Sequence, residues 1–188
     1  MMGVVLYGPP TSGKSTVTAA LGRLDPRFVL VRKLKAGDRR GTEYDFVTVE
    51  ELARLRAAGR LLLETRRYGN TYAIDRHQVS GLITAGHVPV VHLGNIADLR
   101  SLTEAGPWMT VFLWIPRQVC EHRSRQRGDH DTPQRLKAWD ETLADLHTHA
   151  ESPFHHRFQT DLVTADEIAA RIAGAHAELK AVAGDQHA

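Results

Sequence analysis

The sequence predicts an α/β fold in which a parallel sheet is wrapped by helices on both faces. Apolar segments of strand length alternate with amphipathic segments of helix length along most of the 188 residues, as in parallel sheets joined by helical crossovers. The alternation is interrupted at about residues 32–73, where two extended segments follow each other around a turn. The length fits one domain, 1–188, that carries this insertion as a small subdomain.

The first strand-like segment leads into a glycine-containing loop, Gly8–Ser15, that fits G-x-x-x-x-G-K-[ST] at every fixed position. In such a loop the backbone N–H groups surround a phosphate, Lys14 reaches the outer phosphates and the Ser15 hydroxyl binds Mg²⁺. The helix that follows turns its positive end toward the same anion. The predicted nucleotide-phosphate site contains Gly8, Thr11, Ser12, Gly13, Lys14, Ser15 and Thr16, with Ser15 as the metal ligand.

Boundary signals place the remaining elements. The first helix ends at Asp25-Pro26, and Thr48 with Glu51 forms a capping box that begins the helix of the insertion. Further helices are predicted at about 76–85, 97–105, 116–127 and 133–147, and a final helix is capped by Thr164 and turns Ile168, Ile172 and Leu179 inward. Strands are predicted at 28–31, 61–66, 70–73, 88–93 and 110–115, with a short last strand within 158–163.

Charge and cysteine content narrow the class of protein. The chain carries 24 Lys and Arg against 22 Asp and Glu, so no global field favours nucleic acid or a membrane surface. Cys120 is the single cysteine, which excludes an intramolecular disulfide and fits a reducing compartment. The sequence has no signal-peptide pattern and no apolar run of membrane-spanning length. We expect a cytoplasmic protein, monomer or homodimer, that binds a small-molecule nucleotide.

Three motifs in the same order resemble the guanylate kinase family. The segment Gly37–Val47, GDRRGTEYDFV, resembles the family pattern G-E-x-x-G-x-[DE]-Y-x-F-V, and LLE at 62–64 followed by GNTY at 69–72 resembles F-[IL]-E and G-N-x-Y-G. Arginines at 123, 127 and 135 resemble an arginine-lined lid. The likeness covers about residues 4–180. It implies a P-loop NTPase core, a nucleotide-monophosphate-binding subdomain at 32–73 and a lid at 117–135.

The resemblance also implies roles for individual residues. The acceptor monophosphate is expected to contact Arg32, Lys35, Tyr44 and Tyr72, and Glu64 is expected to accept hydrogen bonds from the N–H groups of guanine. Lys14, Arg123, Arg127 and Arg135 are expected to stabilise charge on the transferring phosphoryl group. Positioning and a cationic clamp are what phosphoryl transfer mainly requires of a protein.

Two departures from the family pattern concern the metal and the base. The strand end that is acidic in the family reads VVHLGN at 90–95, which leaves Ser15, phosphates and water as the assured Mg²⁺ ligands. Asp75 and Phe28 stand near the places where the family has hydroxyl groups that contact guanine, so an altered base is expected to fit better than guanine.

The sequence therefore predicts a kinase in which ATP-Mg²⁺ donates a phosphoryl group to a nucleoside 5′-monophosphate, either GMP or an altered nucleotide. Two alternatives stay open. One is a kinase of another small phosphorylated metabolite, such as ribose bisphosphate. The other is a non-catalytic interaction module, against which the intact Gly13-Lys14-Ser15 and the three lid arginines argue.

Overall fold

The computed structural model describes residues 2–67, 69–128, 131–149 and 154–185, the last six of them for the backbone alone. Along the chain the elements are β1 (Gly3–Tyr7), α1 (Lys14–Leu24), β2 (Phe28–Leu30), β3 (Lys33–Ala36), β4 (Tyr44–Phe46), α2 (Val49–Ala57), β5 (Leu61–Arg67), β6 (Asn70–Asp75), α3 (Arg76–Thr84), β7 (Val88–Leu93), α4 (Ile96–Glu104), β8 (Trp108–Trp114), α5 (Arg117–Gln126), α6 (Thr132–Thr148), β9 (His156–Gln159) and α7 (Ala165–Asp185).

The larger sheet is parallel throughout and has the strand order β2-β7-β1-β8-β9. Residues of β1 alternate between two apolar layers, because successive side chains of a strand point to opposite faces. Val4 and Leu6 pack with residues of α1 and α7, whereas Val5 and Tyr7 pack with residues of α3 and α4. A parallel sheet buried on both faces is the predicted α/β architecture, which the structure confirms.

The C-terminal part of the chain corrects two predictions. The last strand is β9 at His156–Gln159, earlier than the predicted 158–163, because Phe158 pairs with Leu113 whereas Leu162 lies beyond the strand and is 73% exposed. Leu179 is 38% exposed rather than inward, while Ile168 and Ile172 are fully buried. Both errors came from assigning apolar residues to the core without a partner surface.

The insertion forms a second sheet with the order β4-β3-β6-β5. Strand β6 pairs antiparallel with β3 and β5, and β4 pairs parallel with β3. Helix α2 begins at the predicted capping box, since Thr48 accepts from the Glu51 N–H and Glu51 accepts from the Thr48 N–H. Its Leu52 packs with Ala36 and Ala73 on one face of the small sheet.

The carboxyl ends of β1 and β7 are neighbours, since Tyr7 pairs with Leu93. Clefts beyond the carboxyl ends of parallel strands are the usual ligand sites of α/β sheets. Among the described helices, none has the length and apolar character needed to cross a membrane.

Candidate active site

The loop after β1 is shaped by its backbone. A Cβ on Gly8 would lie 2.2 Å from the Leu113 carbonyl oxygen of β8, so no side chain fits there. Gly13 has φ +89° and Thr11 has φ +57°, which are left-handed conformations that glycine adopts without cost and threonine does not. These turns curl the loop into a cradle at the beginning of α1.

Lys14 lies across this cradle. Its Nζ donates to the carbonyl oxygens of Gly8 and Pro9 at 2.7 and 2.8 Å. Burial, and secondarily the charge of Lys33, lower the pKa of Lys14 to about 7. A nearby phosphate would stabilise the charged form of Lys14, which burial disfavours. The cradle is therefore suited to bind an anion.

A cleft opens between this loop and the small sheet. Cationic side chains from five parts of the chain line it: Lys14, Lys33, Arg67, Arg127 and Arg135. Burial lowers the pKa of Lys33 to about 8. Low-dielectric walls that carry charge of one sign concentrate oppositely charged ligands, so the cleft is suited to a polyphosphate.

One carboxylate enters the same cleft from the insertion. The Ser15 hydroxyl donates to Oε1 of Glu43, and Nδ1 of His92 lies 3.7 Å from Oε2 of Glu43. Contact with His92, followed by the Ser15 hydrogen bond, lowers the pKa of Glu43 to about 2, so this group is ionised. Burial lowers the pKa of His92, whose Nε2 lies 2.7 Å from the Thr18 hydroxyl.

The cleft continues into a second compartment along the small sheet. Tyr44 and Tyr72 lie there with ring centroids 5.3 Å apart, together with Thr65 and Asp98. Oδ2 of Asp98 accepts from the Thr65 hydroxyl at 2.6 Å and from Asn95 Nδ2 at 2.7 Å. An aromatic wall beside a carboxylate can bind a planar ligand that carries N–H donors.

Many predicted site residues line these compartments. The seven loop residues, Tyr44, Arg127 and Arg135 line the main cleft, and Tyr72 lines its continuation. Arg123 bridges the loop and the β9–α7 connection instead, because it donates to the Thr11 carbonyl at 3.2 Å and to the Thr160 carbonyl at 2.7 Å. It lines a separate neighbouring cleft with Gly13, Thr16 and Thr160.

Four predicted acceptor residues, and Phe28, are not among those that line the cleft in the described part of the chain. Arg32 pairs with Asp45 at 2.7 Å, and Lys35, only 4% exposed, pairs with Asp38 at 2.6 Å. Glu64 makes two hydrogen bonds of 2.6 Å with Arg56 of α2. Asp75 caps α3 and pairs with Arg60, and Phe28 packs in the core against His176.

Strand alternation explains the position of Glu64. Thr65 pairs with Tyr72 and shares its face, whereas Glu64 pairs with Ala73 on the face covered by α2. A shift of one residue exchanges the two faces of a strand. Counted from Tyr72 across the short turn between β5 and β6, the same alternation is the sequence signal that would have found Thr65 and Arg67. It does not separate Lys33 from Lys35, because Lys33 pairs with Tyr44 and Lys35 pairs with Tyr72 on the same face. Motif comparison missed Lys33, Thr65 and Arg67, and also Glu43, His92 and Asp98.

Several known proteins with similar sequences are guanylate kinases. The chain is 30% identical over 151 residues to the guanylate kinase of Granulibacter bethesdensis. The aligned region covers 75% of this chain and 70% of the relative. It is 31% identical over 134 residues to the guanylate kinase of Streptomyces coelicolor, and this alignment covers 69% of this chain and 68% of the relative. The chain belongs to the guanylate kinase family. No family model matches it.

Other comparisons with the guanylate kinase family are more distant or cover less. The chain is 33% identical over 136 residues to the guanylate kinase of Nitratidesulfovibrio vulgaris, and spans 65% of that relative's length. The solved structure of the guanylate kinase from Anaplasma phagocytophilum superposes with a TM-score of 0.64 at 18% identity, covering 94% of this chain and 85% of that one. At this identity the likeness shows the fold, a P-loop α/β core.

Proposed function

We propose that this protein transfers a phosphoryl group from ATP to a nucleoside 5′-monophosphate, with GMP as the acceptor and GDP as the product. The observation that carries the proposal is that the phosphate-binding loop and the tyrosine- and carboxylate-lined face of the insertion open into one cation-lined cleft. Phosphoryl transfer needs donor and acceptor held together among positive charges, which this arrangement provides.

The donor is assigned to the loop and the neighbouring cleft. The phosphates of ATP lie in the cradle from Gly8 to Thr16, and the adenosine extends toward the cleft that Arg123 and Thr160 line. Mg²⁺ bound with the donor would neutralise charge that develops on the phosphates. The Ser15 hydroxyl would hold this ion, because Mg²⁺ prefers oxygen donors and commonly takes only one or two protein ligands.

The acceptor is assigned to the second compartment. Tyr44 and Tyr72 bound it on one side, and Lys33 and Arg67 supply positive charge for the monophosphate. We assign the recognition of the base N–H groups to Asp98, since Glu64 is held by Arg56 on the opposite face of β5. A carboxylate in a pocket discriminates against bases that leave it without a donor.

The segment 117–135 is proposed to close as a lid, although residues 129–130 of this range lie outside the described part of the chain. Arg127 and Arg135 line the cleft from this segment. Arg135 is paired with Asp131 at 2.9 Å and is 30% exposed. Closure would bring both guanidinium groups onto the phosphates and exclude water from the reaction.

The direct test is a coupled assay of ADP release with ATP, Mg²⁺ and each common nucleoside monophosphate in turn, together with ribose 1,5-bisphosphate. We expect turnover with GMP well above that with the other acceptors. Turnover with ribose bisphosphate alone would identify a metabolite kinase. The absence of ADP release with every acceptor, in a protein that still binds ATP, would favour a non-catalytic module and contradict the proposal.

A further inference from the structure

We propose that Glu43 of the insertion is the acidic positioning residue of the Mg²⁺ site, in place of a carboxylate from the core sheet. The inference rests on the proposed function, since it concerns the metal of the donor nucleotide. Under this proposal, both the core and the acceptor-binding insertion contribute residues to the metal site.

The contact between Ser15 and Glu43 is the first support. In P-loop enzymes Mg²⁺ is held by the Ser or Thr of the loop and by an aspartate on a neighbouring strand. A carboxylate that accepts the hydroxyl hydrogen leaves an oxygen lone pair directed away from it and available to a cation. Glu43 accepts that hydrogen from Ser15, although it lies 28 positions further along the chain.

The second support is the residue at the end of β7. This strand lies next to β1, and His92 occupies the position that pairs with Leu6, close to the loop. His92 is 11% exposed at its side chain and contacts Thr18 and Glu43. A neutral imidazole is a poor ligand for Mg²⁺, which prefers oxygen. The core strand therefore orients Glu43 and does not itself supply an oxygen ligand.

The third support is the charge balance of the cleft. Among the described residues that line the main cleft, Glu43 is the one with a carboxylate. Five others supply positive charge: Lys14, Lys33, Arg67, Arg127 and Arg135. An anion so close to the phosphate cradle repels a bare nucleotide. It attracts a divalent cation that the phosphates carry, so its presence is explained by a metal-nucleotide complex.

A consequence follows for the order of binding. Glu43 immediately precedes Tyr44, which lines the acceptor compartment. A metal-nucleotide complex that engages Glu43 thus fixes the strand that carries an acceptor contact, and the two sites are linked through β4. By reciprocity, the acceptor should strengthen binding of the metal form of the donor.

The test measures binding of a non-hydrolysable ATP analogue by calorimetry, with Mg²⁺ and with EDTA, for the wild type, Glu43→Gln, Glu43→Asp and Glu50→Gln. Glu50 is an exposed carboxylate in the same insertion, so Glu50→Gln makes the same charge change away from the cleft. The quantity compared is the ratio of the dissociation constant in EDTA to that in Mg²⁺. Thermal unfolding of each free variant reports any loss of structure.

We expect Glu43→Gln to lower this ratio 10- to 100-fold, the usual effect of removing a residue that orients a metal ligand. Binding in EDTA should stay the same or tighten, because a repulsive charge is lost. Glu43→Asp should restore most of the ratio, and Glu50→Gln should match the wild type. A merely structural role would weaken binding in EDTA and in Mg²⁺ alike.

The inference is overturned if Glu43→Gln keeps the wild-type ratio or weakens both forms equally. That failure is distinct from failure of the proposed function, because the acceptor screen uses wild-type protein. If the wild type phosphorylates GMP but Glu43→Gln keeps the wild-type ratio, the proposed function stands and Glu43 has no role at the metal site. If Glu43→Gln lowers the ratio but the wild type phosphorylates no nucleotide, the role of Glu43 at the metal site stands and the proposed function is wrong.

Discussion

The phosphate-binding loop and the insertion differ in how well sequence motifs located their functional side chains. All seven predicted residues of the loop line the cleft, whereas Tyr44 and Tyr72 alone do so among the six predicted acceptor residues. The loop acts through contiguous backbone, whose shape Gly8 and Gly13 determine locally. The insertion acts through side chains on a small sheet, where pairing register places Glu64 on the far face and ion pairs hold Arg32 and Lys35. Motif matching is therefore safer for backbone sites than for strand side chains.

The loop side of this comparison predicts the largest effect. Lys14→Ala removes a preorganised charge contact that typically contributes about 3–4 kcal/mol to the transition state, so kcat should fall 10²- to 10³-fold. The melting temperature should not fall, because a buried cation is removed. Steady-state kinetics with ATP and GMP measure the effect, with Lys137→Ala on the exposed side of α6 as the control. Near-normal turnover in Lys14→Ala would show that the loop is not the catalytic centre.

The insertion is tested by replacing each of two carboxylates with the corresponding amide, one at a time. Asp98→Asn should lower kcat/KM for GMP about 10- to 100-fold, since hydrogen bonds to a charged group contribute about 1.5–3 kcal/mol. Glu64→Gln should change kcat/KM less than twofold, because it weakens a half-exposed pair with Arg56 that lies outside the cleft. The reverse result would restore the motif-based assignment of Glu64 and refute the register argument.

A smaller effect should appear in the pH dependence of acceptor binding. With a pKa of about 8 in the free protein, Lys33 loses its proton as the pH rises, and a bound phosphate dianion opposes that loss. Affinity for GMP should thus fall about fourfold between pH 7 and pH 8.5, a range over which the phosphate itself does not titrate.

Calorimetric titration with GMP at the two pH values measures this change. Lys33→Arg is the matched variant, because its guanidinium stays charged throughout the range and should flatten the dependence. An equally steep dependence in Lys33→Arg would assign the titration to another group. A flat wild-type profile would show that Lys33 does not contact the phosphate.

Local sequence signals were sufficient for much of the fold. The alternating apolar segments predicted the parallel sheet, and the capping box at Thr48 and Glu51 placed the beginning of α2. Each of these signals depends on residues close together in the chain, where period, caps and turns set the backbone directly. The family assignment came from ordered motifs and was confirmed by the relatives.

The tertiary structure alone decided which polar side chains meet. Glu43 reaches Ser15 across 28 positions, and Asp98 of α4 meets Thr65 of β5 across 33. Asp75 was expected near the base, but a partner fifteen positions away, Arg60, holds it at the beginning of α3. Such pairings depend on strand register and on the packing of the insertion against the core, which local sequence patterns do not specify. Sequence determined most of the elements and the phosphate-binding loop, whereas strands β3 and β4 and the chemistry of the cleft depended on packing.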